Sequence, residues 1–212
     1  MRRSNGTKEL IFETAFQLFI SKPYESVTVR DLEKSTEMTR GAVFYYAENK
    51  QKLFAEVMKS YFFTIQNPYS KFGKNILELD MSLKQFINYF IECTEKTIEQ
   101  LVSYGALDKT NKSKKAIADR FYLSLVLTGG YYMKKFDKTM QDIIKTDKSI
   151  WGHFIQKAID SGEIKPDTDV KLFAELFLCV YRGKAFVDAQ CNGLDIRELS
   201  RLFGGVYNAI KA

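Results

Sequence analysis

Apolar residues return every three or four positions through almost the whole chain, and the joints between these runs are short. Between Thr7 and Ile20, Leu10, Ile11, Ala15, Leu18 and Phe19 fall on one face of a helix, which ends near Pro23. Thr28-Val29-Arg30-Asp31 then reads as a capping box. The threonine oxygen takes one free amide of the new helix and the aspartate reaches back to another, so a second, short helix runs to about Ser35. After Thr36-Glu37-Met38, Thr39 is suited to cap a third short helix through about Tyr45. Two short helices with so tight a link must cross steeply. Asn49 opens a fourth helix carrying Leu53, Phe54, Val57, Met58 and Tyr61, which stops before Asn67-Pro68. Further helical segments are expected at about 81–103, 114–135, 139–161, 167–190 and 195–211, and no strand pattern of useful length occurs.

The expected fold is therefore all-α. A trihelical head over residues 1–48 precedes a larger helical domain over 49–212, and the helix 49–66 joins the two. Composition changes this picture little: 45% of residues are hydrophobic, 27% are charged and only three are proline, as long helices require. Apolar runs such as Phe121 to Leu127 are far shorter than the roughly 20 residues of a membrane span, and no apolar leader follows the first six residues. Cys93, Cys179 and Cys191 are too dispersed for zinc or a disulfide framework, so a reducing, cytoplasmic setting is expected. Net charge is +6. Residues 1–60 hold ten Lys/Arg against eight Asp/Glu, while residues 108–148 hold ten against five, so charge alone does not single out the head as a polyanion-binding surface.

The head draws attention for another reason. Reading the major groove of DNA needs a short helix on a rigid scaffold. Thr39-Arg40-Gly41-Ala42 places a capping hydroxyl, a long cation and two small residues at the leading end of the third helix, and Tyr45 and Tyr46 follow one turn later. Three stretches, Thr28 to Leu32, Thr39 to Tyr46 and Asn49 to Leu53, with Ile11, Ala15, Leu18, Phe19 and Tyr24 upstream, resemble the DNA-binding signature of the TetR/AcrR family of bacterial transcriptional regulators. The resemblance covers about residues 7–58. It implies that Arg30 meets DNA from the second helix, that Arg40 and Ala42 face base edges with Gly41 letting the backbone come close, and that Tyr45, Tyr46 and Lys50 contact phosphates or thymine methyls. Thr28 and Thr39 would meet phosphate or cap helices. Pro23 and Glu37 stand where the family commonly has glycine, and Phe44 and Ala47 also depart from its pattern. A left-handed Glu37 would cost on the order of 1 kcal/mol, and Phe44 lacks the hydroxyl of the family's usual tyrosine.

Blander readings stand beside these. Arg30 and Arg40 could be solvated cations, and Tyr45 and Tyr46 could be core aromatics, although adjacent residues cannot both face inward. The run Lys109 to Lys115 reads as a solvated loop. His153, the sole histidine, and the three cysteines read as packed side chains, and neither a metal site nor a cofactor motif is expected. Val170 to Val187 is apolar nearly all round, so it is expected to pair with the last helix (Ile196, Leu199, Leu202, Phe203, Val206, Tyr207) and to dock on its two-fold copy as a four-helix bundle. Burial within one chain is the alternative. Phe86, Tyr89, Phe90, Tyr122 and Phe154 are candidates to line a pocket for an apolar or aromatic small-molecule effector. The function expected is a ligand-responsive repressor released from a palindromic operator. The other readings are a helical ligand-binding or scaffolding dimer without DNA affinity and, third, a small-molecule enzyme.

Overall fold

The computed structural model describes residues 2–104 and 114–212, and of residues 2–5 and 114–118 only the backbone. The run Lys109 to Lys115 thus lies outside the side chains described. Helix α1 (Arg2–Phe19) is followed by a 3-10 turn (Tyr24–Ser26), α2 (Val29–Thr36) and α3 (Arg40–Phe44). A long rod comes next, made of α4 (Lys50–Val57), a π-type turn (Met58–Phe62) and α5 (Phe63–Gln66). Val57, Met58, Phe62 and Phe63 all keep right-handed helical angles, so the rod is continuous through the π turn. Asn67 leaves the helical region with ψ 120, and its side chain accepts from the Tyr69 amide at 2.9 Å. Pro68 therefore starts a further short helix, α6 (Pro68–Phe72), at the first-turn position where its missing N–H costs nothing. The remaining helices are α7 (Leu83–Tyr104), α8 (Lys114–Tyr132), α9 (Phe136–Asp160), α10 (Val170–Ala189) and α11 (Ile196–Ile210). Among the described residues there is no strand, only an isolated bridge between Ile164 and Lys211.

Two apolar clusters hold the helices. The first begins in the head with Phe16, Phe19, Leu32 and Val43, runs along the rod through Phe54 and Phe62, and reaches Leu125 of α8 and Phe136 and Met140 of α9. The second is aromatic: Trp151 stacks on Phe177 at 4.4 Å, Phe86 stacks on Phe154 at 4.1 Å, and Phe90 and Phe203 complete it from α7 and α11. Each such ring contributes about 1.5–3 kcal/mol by leaving water, with a further increment for the ring contacts themselves.

Polar side chains fix the helix ends. Glu163 accepts from the Leu83 and Lys84 amides at 2.8 and 2.9 Å, capping α7 from 80 residues away, and also takes the Tyr207 hydroxyl. Arg120 closes the C-terminal end of α10 through the carbonyls of Ala189 and Cys191, each at 2.9 Å. α8 stops at Tyr132 because Lys135 turns left-handed, with φ 67, and α9 begins at once. A β-carbon on Gly129 would lie 2.3 Å from the Phe136 ring, so glycine is what lets α8 and that ring meet. The last turn of α8 is also fastened to the head. The Gln51 side-chain amide donates to the Tyr132 carbonyl at 2.9 Å, the Tyr132 hydroxyl donates to Glu25 at 3.2 Å, and the rings of Tyr24 and Tyr132 lie 4.5 Å apart.

Candidate nucleic-acid interface

The head is built around an inward face and an outward one. Leu32 and Val43, both fully buried, point into the first cluster and fix the crossing of α2 on α3. Thr28 and Asp31 form the expected capping box: the Asp31 amide donates to the threonine oxygen at 3.1 Å, and the Thr28 amide donates to the carboxylate at 2.7 Å. The Lys22 ammonium, 2.8 Å away, and the two Thr28 donors hold the Asp31 carboxyl far below the usual carboxylate range. Between α2 and α3, Glu37 adopts the left-handed conformation, φ 56 and ψ 30, in which the family's glycine would be free of strain. The Met38 amide donates to the Glu33 carbonyl, and the Glu33 carboxylate reaches on to accept from the Arg40 amide at 2.8 Å. Thr39 accepts from the Ala42 amide at 3.4 Å. A carboxylate and a hydroxyl thus satisfy the first amides of a helix only five residues long.

Outward, α3 presents Thr39, Arg40 and Gly41 to solvent, with Ala42 half-buried. Tyr45 is 80% exposed, whereas Tyr46 is half-buried beside it with the two rings edge to face at 5.0 Å. Phe44 packs on the first cluster and Ala47 is buried, so neither departure from the family pattern disturbs the outer face. Arg30 and Thr28 are exposed on α2. The structure gives Lys50 a different position from the phosphate contact that the resemblance implies. Its ammonium donates to the carbonyls of Tyr24 at 2.7 Å and Val27 at 2.9 Å and lies 4.2 Å from the Tyr24 ring centre, and burial pulls its pKa down. Arg40, Gly41 and Lys50 nonetheless share a shallow groove of about 430 Å³ with Val29 and Asn49.

The aromatic candidates in the larger domain divide. Phe86, Phe90 and Phe154 come together, but their rings fill the second cluster completely. Tyr89 is half-buried at its edge and donates to the Phe72 carbonyl at 3.0 Å. Tyr122 belongs with the first cluster instead. Its hydroxyl donates to Gln66 at the end of the rod at 3.0 Å, and burial pushes its pKa up to about 12. His153, Cys179 and Cys191 are exposed rather than packed, because they fall on the outer sides of α9 and α10 and just beyond α10, and Cys93 alone is buried as expected.

A polar cluster not foreseen lies between these aromatic groups. Arg182 of α10 donates to Asp147 of α9 at 3.2 Å, and burial raises the Asp147 pKa in spite of that partner and of Lys71 nearby. The Lys71 ammonium donates to Thr94 at 2.8 Å and lies 4.1 Å from the centre of the Phe90 ring and 4.7 Å from that of Tyr181. Desolvation lowers its pKa to about 8. Two buried donors, the Trp151 indole N–H and the Arg182 Nε–H, have no partner among the described residues. A sequence signal for this cluster exists: Asp147 and Thr94 interrupt the apolar stripes Ile143–Ile150–Trp151 and Phe90–Ile98–Leu101 at positions where helical spacing demands a core residue.

Residues 11–57 match the model of the bacterial regulatory proteins of the tetR family. Over 49 residues the chain is 41% identical to the HTH-type transcriptional repressor AcnR of Corynebacterium efficiens, a match that covers 23% of this chain and 26% of that protein. The segments aligned span only about a fifth to a quarter of the length of the curated relatives matched. Solved structures align over nearly the whole chain. A TetR-family regulator from Cytophaga hutchinsonii has a TM-score of 0.66 at 15% identity, covering 100% of this chain and 98% of its own. A transcriptional regulator from Saccharomonospora viridis, solved in complex with choline, has a TM-score of 0.69 at 12% identity, covering 98% and 99%. These two likenesses show the fold.

Proposed function

We propose that this chain, whose residues 11–57 form a DNA-binding domain of the TetR family, is a homodimeric transcriptional repressor that leaves a palindromic operator when a small molecule occupies its larger domain. The observation that carries this reading is the outer face of α3, where Arg40, Gly41 and Tyr45 are exposed over a fully buried Val43 within the matched segment. A helix so supported enters the major groove with little loss of conformational freedom. Arg40 then reads base edges, Tyr45 and Thr39 meet the backbone, and Arg30 adds a phosphate contact from α2.

The dimer in this reading is supported by α10. Leu172, Leu176, Phe186 and Val187 form an exposed apolar stripe along it, between 38% and 57% accessible, while its opposite side packs on α9. So long a stripe on a helix end of the molecule calls for a cover, and a second copy with α11 alongside makes a four-helix seam. Two-fold symmetry then sets two α3 helices one turn of DNA apart. Release by ligand is supported by the continuity of the rod α4–α5, which runs from the head core to Tyr122 of α8, and by the choline found in the Saccharomonospora viridis protein. Among the described residues no helix is long and apolar enough to cross a membrane.

The test is a gel shift with the DNA immediately upstream of the protein's own gene. Binding should weaken steeply with salt, in proportion to the phosphates neutralised, and Arg40→Ala should lower affinity by about 1–3 kcal/mol and relax base preference at one position of each half-site. No salt-sensitive binding to any duplex would overturn the proposal.

A further inference from the structure

Thr64 and Ile65 on α5, Ser70 and Lys71 on α6, and Lys96, Thr97 and Gln100 on α7 face one another across a cleft of about 350 Å³. With Cys93, which also lines the cleft, the α7 residues are related by three- and four-residue steps and so share one side of that helix. The lining carries two ammonium groups and no carboxylate, and neither Lys71 nor Lys96 forms an ion pair among the described residues. From this arrangement we infer that the cleft binds a small anionic ligand, a carboxylate or phosphate carried on a compact body, with Lys71 and Lys96 as its charge partners.

Lys71 is the more telling of the two. Its ammonium has three protons and one hydrogen-bond acceptor, the Thr94 hydroxyl, with the rings of Phe90, Tyr181 and Phe72 around it and with Asp147, Cys93 and Arg182 acting on it through space. The neighbouring carboxylate, Asp147, is engaged by Arg182. Lys71 belongs to the cleft lining while its ammonium is buried behind it with a single acceptor, so an anion that enters the cleft and reaches it gains a charge-assisted hydrogen bond, which that burial strengthens. Ser70 and Gln100 supply further polar groups, and the volume falls within the range of small-molecule sites.

The inference names the class of effector and, for its regulatory consequence alone, rests on the repressor reading. Two of the lining residues, Thr64 and Ile65, stand on the far end of the rod whose near end is the head, so a ligand that fits one position of the rod better than another shifts the population of head orientations.

Calorimetric titration of the full chain without DNA tests it, with benzoate and phenyl phosphate as charged probes and benzamide as the neutral counterpart. At least one charged probe should bind saturably and about tenfold or more tighter than benzamide. Benzoate alone would mark a carboxylate ligand and phenyl phosphate alone a phosphate ligand. Lys71→Met should abolish that binding, and Lys96→Gln, on an exposed helix face that folding does not need, should weaken it several-fold. Equal affinity for benzamide, no saturable charged probe, or wild-type binding by Lys96→Gln would overturn the inference. Because no DNA is present, these outcomes are independent of whether the gel shift succeeds.

Discussion

The Lys50 ammonium donates to the Tyr24 carbonyl at 2.7 Å while lying 4.2 Å from the centre of the same residue's ring. With its bond to the Val27 carbonyl, this ties the first turn of the rod to the 3-10 turn between α1 and α2. Lys50→Met keeps the aliphatic stem and deletes both charged hydrogen bonds, so it should destabilise the protein by about 1–3 kcal/mol as well as weaken operator binding. Urea unfolding reads the first effect. A midpoint equal to wild type would show that these two hydrogen bonds add nothing to stability.

Glu37 lies at φ 56 between α2 and α3. Glycine at that position relieves the left-handed strain but gives the unfolded chain more freedom, so Glu37→Gly should stabilise by about 0.5–1 kcal/mol net. It also removes a negative charge beside the proposed phosphate contacts. Operator affinity should therefore rise, with the larger gain at low salt; a loss of stability in denaturant would contradict the assignment of strain.

Phe186 is 56% exposed on the apolar stripe of α10. Phe186→Asp introduces a charge at the proposed seam and leaves both core clusters untouched. Sedimentation velocity should show a dimer dissociation constant raised about thirtyfold or more with unchanged helical content. Persistence of the wild-type dimer would place the seam elsewhere.

Lys71 titrates at about 8 in the folded chain against an ordinary 10.5. The groups facing it are Cys93 and Lys96 from α7, Asp147 from α9, and Tyr181 and Arg182 from α10, with Tyr122 of α8 beyond them. Because the folded pKa is the lower one, the unfolded chain holds the proton more tightly, and stability should rise with pH from about 8 toward 10.5 as the cost of charging the buried amine disappears. The slope is at most about 1.4 kcal/mol per pH unit. Buried tyrosines, whose raised pKa values act in the opposite direction above about pH 10, confine the clean window to pH 8–10. Unfolding curves across it should rise more steeply in wild type than in Lys71→Met, where the lowered pKa of Lys50 leaves a smaller rise; parallel behaviour would exclude Lys71 as the source.

How much of this could be read from the residues alone depends on how local each cause is. Thr28, Thr39 and Asn49 cap helices through amides three residues ahead, and all three caps are present where spacing puts them. That Tyr45 and Tyr46 cannot both face inward also follows from local spacing, but that Tyr45 is the exposed one is known only from the fold. The direction of Lys50 depends on carbonyls 23 and 26 positions back, which only the folded head brings near. Phe86 and Phe154 were legible as neighbours in kind, but whether two rings line a cavity or close it depends on a separation of 4.1 Å, beyond what periodicity conveys. Lys71, Asp147 and Arg182 come from three helices far apart in the chain. Asp147 alone, interrupting an apolar stripe, hints at them.

Tyr132 grips the head by its main chain, its hydroxyl and its ring at once. One consequence concerns the permitted length of α8. Adding or removing a single residue in its final turn would swing this anchor by about 100° around the helix axis and shift it by about 1.5 Å along it, so that Glu25, Tyr24 and Gln51 could no longer be met together. Insertions there should unmoor the N-terminal trihelix while sparing the bundle behind it, which makes the end of α8 a place where the chain's length is as constrained as its side chains.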